Sequence, residues 1–273
     1  MTEPDPSHRS GRSRWRGFIV LGLGVLVSLG AMVLTRYPGI VERTYAAEVG
    51  PRIARGLSLL TGWAPFSVAM LLAFALATGL VFRWVLVAFR LRGRGASTWR
   101  LALVEEANRI AGIAGGLLLF FYPLWGLNYA RAPLDERLGM GVGQVIESEA
   151  LISLSRLAAE QTNGAYLALH GVEDLGEPTR GFADPVATSR ALESGWARVA
   201  PALGMHPVAT LGYGPVKTTG VTWFVDALDI AGIYVPYTGE AHASGAQPDL
   251  SFPAVTAHEQ AHQRGLAREN EAT

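Results

Sequence analysis

The 273-residue chain balances 23 Lys plus Arg against 23 Asp plus Glu, and only 17% of its residues are charged. An average soluble domain carries about 25%, so the deficit points to membrane segments, and with no extended basic run beyond their flanks nucleic acid is excluded as a partner. There is no cysteine, so any metal must be held by His and carboxylate rather than by thiolate.

Residues 1–16 are polar, carry Arg9, Arg12, Arg14 and Arg16, and read as a cytoplasmic tail. Gly17 to Thr35 then runs without a charge, enough to span about 30 Å of hydrocarbon. It exceeds a signal-peptide core and no small-x-small cleavage site follows closely, so it reads as a retained span. Residues 36–63 read as a loop with Arg and Glu in rough balance. Ala64 to Phe82 is a second uncharged run, apolar past Arg83 to Phe89, with Arg83 placed to snorkel to the interface. The basic stretch Arg90 to Arg100 leads into 101–109, expected as an interfacial helix. Ile110 to Leu127 is the third uncharged run, with Trp125 and Tyr129 at interfacial depth. The membrane region is therefore expected over 17–129, with spans near 17–35, 64–89 and 110–129 and the lipid bilayer as a partner. Arginine is denser in the N-terminal tail and in 90–109 than in 36–63. By the positive-inside rule the N-terminus is then cytoplasmic and everything after about Tyr129 extracytoplasmic.

Residues 130–273 read as a mixed α+β domain. Gln144 to Gln161 has Val145, Ile146, Leu151, Ile152, Leu154 and Leu157 at helical spacing, and Pro185 to Leu203 has Ala187, Leu192, Trp196, Val199 and Leu203 on one stripe. Both stripes are expected to face a core. Thr222 to Val235 is apolar but interrupted by Asp226 and Asp229, which predicts strands with turns at Gly220 and near Gly232.

The chemistry is concentrated in the last stretch, Val255 to Gln263, which contains HExxH. Positions four apart lie on one helix face, so His258 and His262 can bind one Zn²⁺ while Glu259 pulls a proton from a metal-bound water. The uncharged neighbours Thr256, Ala257, Gln260, Ala261 and Gln263 suit a buried helix. Pro253 fits its start and Gly265 its end. Glu269 lies seven residues beyond His262, about 10 Å along a continuous helix, so the chain must turn at Gly265 for Glu269 to be the third ligand. Glu271 is the rival. Nothing in the spacing of Glu240 or His242 favours either as a ligand.

Several stretches together resemble a known family. They are Pro65-Phe66-Ser67, Trp125 to Arg131, Gly232 to Ala241, and the run from His258 to Ala272. The set resembles the bacterial membrane proteins of domain of unknown function 3810 over nearly the whole chain. The last stretch is also similar to the gluzincin metalloproteases. That resemblance implies His258 and His262 as ligands, Glu259 as general base and Glu269 as third ligand, with Thr273 standing where the pattern puts Asp or Asn. In such enzymes an edge strand above the active helix pairs with an extended peptide. Gly232–Tyr237 would be that strand, with Tyr234, Tyr237 and Glu240 as substrate-binding candidates. For the tyrosines packing is the competing role; for Glu240 and for His242 it is a solvated loop.

The expected fold is thus a three-span α-helical transmembrane region followed by an α+β zincin-like domain, C-terminally incomplete. The chain stops at Thr273 in what should be the first turn of the ligand helix, so this form is expected to bind zinc weakly and turn over little. The expected function is a zinc-dependent metallopeptidase of the bacterial inner membrane acting on a peptide or protein substrate. A non-catalytic zincin-like binding or sensory membrane protein is the alternative.

Overall fold

The computed structural model describes residues 15–140, 147–170, 176, 184–218 and 227–273. Three of its helices are long and apolar enough to cross a bilayer: α1 (Arg16–Leu34), α4 (Val68–Leu91) and α5 (Ala96–Leu124). The buried positions of α1 are Gly17, Gly24 and Ala31, a seven-residue repeat that keeps one narrow face turned to a neighbour. That neighbour is α5. A Cβ on Gly115 would stand 2.3 Å from the Leu21 amide nitrogen, and one on Gly24 would stand 2.6 Å from the Gly115 carbonyl. Backbones this close are how helices associate in lipid, where apolar side chains gain nothing from leaving it. Gly17 meets Asn108, Gly24 meets Gly115, and Val27 to Leu34 share a groove with Leu119 to Leu127. The two helices therefore run parallel, as the first and third of three crossings would.

Two polar contacts serve this bundle. Asn108 Oδ1 accepts from the Gly17 and Phe18 amides at 2.9 and 3.2 Å, satisfying donors that the first turn of α1 leaves free. Arg83 is paired with the next long helix: its Nε and Nη2 donate to Glu106 at 3.1 and 2.6 Å. The separate interfacial helix expected at 101–109 is absent. No Gly or Pro separates Ala96 from Arg109, so the segment continues into the third span.

The expected loop at 36–63 is helical. It comprises α2 (Pro38–Val41), a π-helical stretch over Glu42–Val49 and α3 (Gly50–Gly62), with Pro38 and Pro51 in first turns where no donor is missed. α3 buries Ala54, Ser58 and Thr61 against the C-terminal domain. Ser58 Oγ accepts from the Gly214 amide at 2.7 Å and from Gln263 Nε2 at 2.8 Å, and Thr61 Oγ1 donates to the Thr238 carbonyl at 3.0 Å. A stripe of small and hydroxylic residues does not register as hydrophobic periodicity, which is why the sequence reads as a loop. Its consequence is architectural: α3 packs against the C-terminal part of the chain through Ser58 and Thr61.

Short one-turn helix α6 (Leu134–Arg137) precedes α7 (Ser148–His170) and α8 (Pro185–Ala202). α8 is capped by Asp184 Oδ1, which accepts from the Val186 amide at 2.8 Å. Its Trp196 packs with Leu203 on a cluster of Ala200, Met205, Ala209, Ala261 and Leu266, but Ala187 and Val199 of the expected stripe are exposed, and Thr188, Ser189 and Ala200 are buried instead. The stripe of α7 is not core as expected: Leu151, Ile152, Leu154 and Leu157 are exposed. The helix buries nothing among the described residues, so the stripe lacks the surface it would need; Val145 and Ile146 lie outside the described residues.

A two-stranded antiparallel sheet pairs β1 (Gly232–Val235) with β2 (Glu240–Ala243), Gly232 opposite Ala243 and Val235 opposite Glu240. Lys217 bridges to His242 on the other side of β2, so β1 is the outer strand among the described residues. The turn expected near Gly232 lies at Leu228 and Asp229, so residues 227–231 are not strand and Gly232 opens β1; residues 222–226 of the expected strand region and Gly220 lie outside the described residues. The hairpin needs glycine at Gly239, whose φ is +67° and whose Cβ would meet the Ser58 amide at 2.6 Å. The core under the sheet gathers Trp125, Val216, Tyr234, Ala241, Ala243, Phe252 and Ala267. Trp125 is thus a core residue, 6% exposed, and not the interfacial anchor its place after the third span suggests.

Candidate metal centre

The HExxH residues stand on α9 (Phe252–Gln263), with Pro253 in its first turn. Its uncharged flanks hold it in place. Gln260 Oε1 accepts from Trp196 Nε1 at 3.0 Å while its Nε2 donates to the Ser189 carbonyl at 3.2 Å. Gln263 Nε2 donates to Ser58 and to the Gly239 carbonyl at 3.0 Å. Both amides are at most 1% exposed, so a buried helix is fixed in rotation without a buried charge on these faces.

The helix ends at Gly265, φ +90°. The Leu266 amide donates to the Ala261 carbonyl at 3.1 Å and the Gly265 amide to His262 at 2.9 Å, the paired bonds of a Schellman ending. Leu266 and Ala261 also pack together in one cluster, the contact that accompanies this motif. The turn brings α10 (Glu269–Ala272) back over α9. Glu269 Oε2 then lies 3.0 Å from His258 Nε2, and Oε1 3.5 Å from His262 Nε2.

The outer contacts of each imidazole set its tautomer. The Leu266 carbonyl can only accept, so His262 Nδ1, 2.7 Å away, carries the proton and Nε2 presents a lone pair. Thr273 Oγ1 donates to the Glu269 carbonyl at 3.0 Å, leaving it to accept from His258 Nδ1 at 3.2 Å. His258 Nε2 is then bare as well. Burial holds His262 below its usual pKa, keeping it neutral as a ligand must be. Three acceptors thus converge, with their ligand atoms within 4.8 Å of one another. Two neutral imidazoles and one carboxylate are a donor set that fits Zn²⁺ with a fourth position open.

Glu271, the rival ligand, is engaged elsewhere. Its Oε1 accepts from the Leu134 amide at 3.1 Å and from Arg268 Nη1 at 2.8 Å, and Arg137 lies 3.8 Å from Oε2. Arg268 also donates to the Arg131 carbonyl at 3.0 Å, and Arg131 pairs with Glu42 through two 3.0 Å bonds. This charge cluster pins α10 to the chain that follows the third span.

A cavity of about 700 Å³ opens in front of the three ligands. Phe121, Trp125 and Tyr129 line one side, Gly232, Ile233, Tyr234 and Pro236 another, and Val255, His258, Glu259 and His262 the floor. The Glu259 carboxyl is 4% exposed, and Oε2 has no hydrogen-bond partner among the described residues. Burial, and behind it the Glu269 carboxylate, push its pKa up to about 8. It fits only because residue 232 is glycine: a Cβ there would stand 2.5 Å from Glu259 Oε1.

The other candidates divide. Tyr234 lines the cavity, but is 9% exposed and packs its ring 5.5 Å from Trp125; its hydroxyl has no partner among the described residues. Burial raises its pKa. Tyr237 is not on the cavity wall and its hydroxyl donates to the Leu117 carbonyl at 3.1 Å. Glu240 and His242 are not in a solvated loop. Glu240 ion-pairs with Lys217 and accepts from the Val68 and Ala69 amides at 2.9 and 2.6 Å. His242 Nε2 lies 2.8 Å from Ser67 Oγ. Strand alternation cannot reveal this, because β2 is buried on both faces. Sequence reasoning missed three contributors to the site: Gly232, Tyr129, and Trp125, whose Nε1 donates to the His262 carbonyl at 3.0 Å. Only the glycine before the Ile-Tyr-Val run carried a local signal, and it reads equally well as a turn.

The family model described as protein of unknown function (DUF3810) matches residues 45–273. No curated protein and no solved structure matches the chain.

Proposed function

This chain belongs to the DUF3810 family, and we propose that it is a membrane-anchored, zinc-dependent metallopeptidase. In this reading its catalytic domain lies on the outer face of a bacterial inner membrane. The observation that carries the reading is the convergence of His258, His262 and Glu269 on one point, with the Glu259 carboxyl on the same cavity wall.

Zinc, when bound, supplies a Lewis acid that polarises a peptide carbonyl and eases deprotonation of water. Glu259 takes the proton of the attacking water and passes it to the leaving amine. Its carboxyl suits that task by position: it is buried against Gly232 on the cavity wall beside the three ligands, and its Oε2 has no hydrogen-bond partner among the described residues. Thr273 and the Leu266 carbonyl orient the two imidazoles. β1, the outer strand, offers its backbone to an extended substrate.

Glu259→Gln separates binding from turnover, since the amide keeps the shape but not the base. It is expected to retain about one zinc per chain and lose peptide hydrolysis by about 10²–10⁴-fold. His258→Ala and His262→Ala are expected to lose the zinc. Zinc retained in either His variant, or hydrolysis unchanged in Glu259→Gln, overturns the proposal. Zinc binding with no hydrolysis of any peptide assigns the chain to a binding or sensory role instead.

A further inference from the structure

The cavity's position relative to the third span narrows the class of substrate. The uncharged stretch of α5 starts after Arg109. A bilayer core takes about 20 residues, which carries the hydrocarbon level to about Tyr129. Phe121, Trp125 and Tyr129, one wall of the cavity, therefore lie at or below the lipid surface. The hairpin reaches deeper along α5: the Tyr237 hydroxyl bonds the Leu117 carbonyl, seven residues or about 10 Å before the end of α5. Leu117, Phe120 and Tyr237 on this side and Ile233 on the cavity wall are all exposed. That surface is apolar, the composition a protein turns to hydrocarbon.

We infer that the site acts on polypeptides tethered to the bilayer by an apolar anchor, cutting within about ten residues of the anchor. The inference rests on the peptidase reading for the cut and on geometry for the depth. A peptide free in water must leave it to reach a cavity walled by Phe121 and Ile233. An anchored chain arrives at that depth already, and tethering raises its effective concentration to the millimolar range.

Two measurements on the full chain in phosphatidylcholine–phosphatidylglycerol liposomes test this. The chain has no cysteine, so Ile233→Cys takes a single nitroxide. Its collisions with oxygen are expected to dominate those with a water-soluble nickel chelate, as for a label at Phe82→Cys within the second span. A nickel-dominated, water-like profile at Ile233 overturns the inference whatever the peptidase assay gives. The second measurement offers one randomised peptide library in three forms: on a transmembrane helix, on a palmitoyl chain, and unanchored. Anchored forms are expected to be cut at least tenfold faster, with cut sites mapped by mass spectrometry clustering near the anchor and abolished in Glu259→Gln. Cutting of only one anchored form identifies the anchor. Equal rates for all three overturn the anchor requirement while the peptidase reading stands, and no cutting of any form overturns both.

Discussion

At the scale of single residues, the identity of the third ligand turns on two carboxylates two positions apart in the sequence and far apart in role. Glu269 is 79% exposed as a side chain and faces both imidazoles, whereas Glu271 is 9% exposed and bound to Leu134 and Arg268. Glu269→Gln should therefore weaken zinc more than Glu271→Gln does. The latter should act indirectly through the position of α10, within the roughly 10- to 100-fold that supporting partners of metal ligands contribute. Competition with a zinc chelator reads both, and a larger effect at Glu271 would move the ligand there. Gly232→Val is expected to drive the Glu259 carboxyl from its place, abolishing hydrolysis while zinc stays bound. His258, Glu259 and His262 were legible because their spacing is itself the chemistry. The choice of Glu269 over Glu271 rested on the turn at Gly265 and the family resemblance; what engages Glu271 elsewhere, Arg268, Arg137 and Leu134, is joined to α10 by no local pattern.

At the scale of elements, what pattern could recover was whatever lipid or a strong amphipathic stripe had written into the sequence. The three long helices and α8 fall in that class. α3 does not, because its inner face is Ala54, Ser58 and Thr61 and its partners are carbonyls and amides. The hairpin's attachment to the second span was hidden for a related reason: it is electrostatic. Glu240 sits at the N-terminus of α4, where two free amides and the helix dipole favour an anion, with Lys217 completing the pair. Burial alone would raise the Glu240 pKa, but Lys217 and the amides outweigh it and hold it below the ordinary 4.5. A folded-state pKa below the unfolded one adds stability that is fully present above about 4.5 and is lost as pH falls through the folded value. Thermal unfolding in detergent should therefore show a midpoint that drops below about pH 4.5. In Glu240→Leu that acid-sensitive part should vanish and the chain should be less stable at pH 7 by about 3–5 kcal/mol, the usual cost of stranding one buried charge. A midpoint that follows the same acid limb in the variant would show that Glu240 is not the titrating group.

At the scale of the whole molecule, the spans and the candidate centre form one object. α1 and α5 run parallel and in backbone contact, so both end on the side where α3, the hairpin and α9 assemble. Trp125, immediately after α5, binds the His262 carbonyl directly. The site is consequently built on the end of the third span, and anything that separates α5 from α1 should reach the metal. Gly115→Leu, which cannot fit 2.3 Å from the Leu21 amide, is expected to lower the unfolding midpoint and weaken zinc together.

The same geometry makes membrane orientation a sharp question, since it fixes which loops share a side. The chain before Arg16 is the N-terminal tail, and the start of α1 and the turn between α4 and α5 stand opposite the domain that carries His258. Arginine is concentrated in that tail and that turn, and positively charged loops stay in the cytoplasm. A phosphatase reporter active only outside the cytoplasm should be silent when fused at Gly95 and active when fused at Gly204. The opposite pattern would put the centre in the cytoplasm and reverse the proposed location without disturbing the site itself. Equal activity at the two positions would be more damaging, because it would contradict the crossing of the bilayer by α5 on which the depth of the cavity rests.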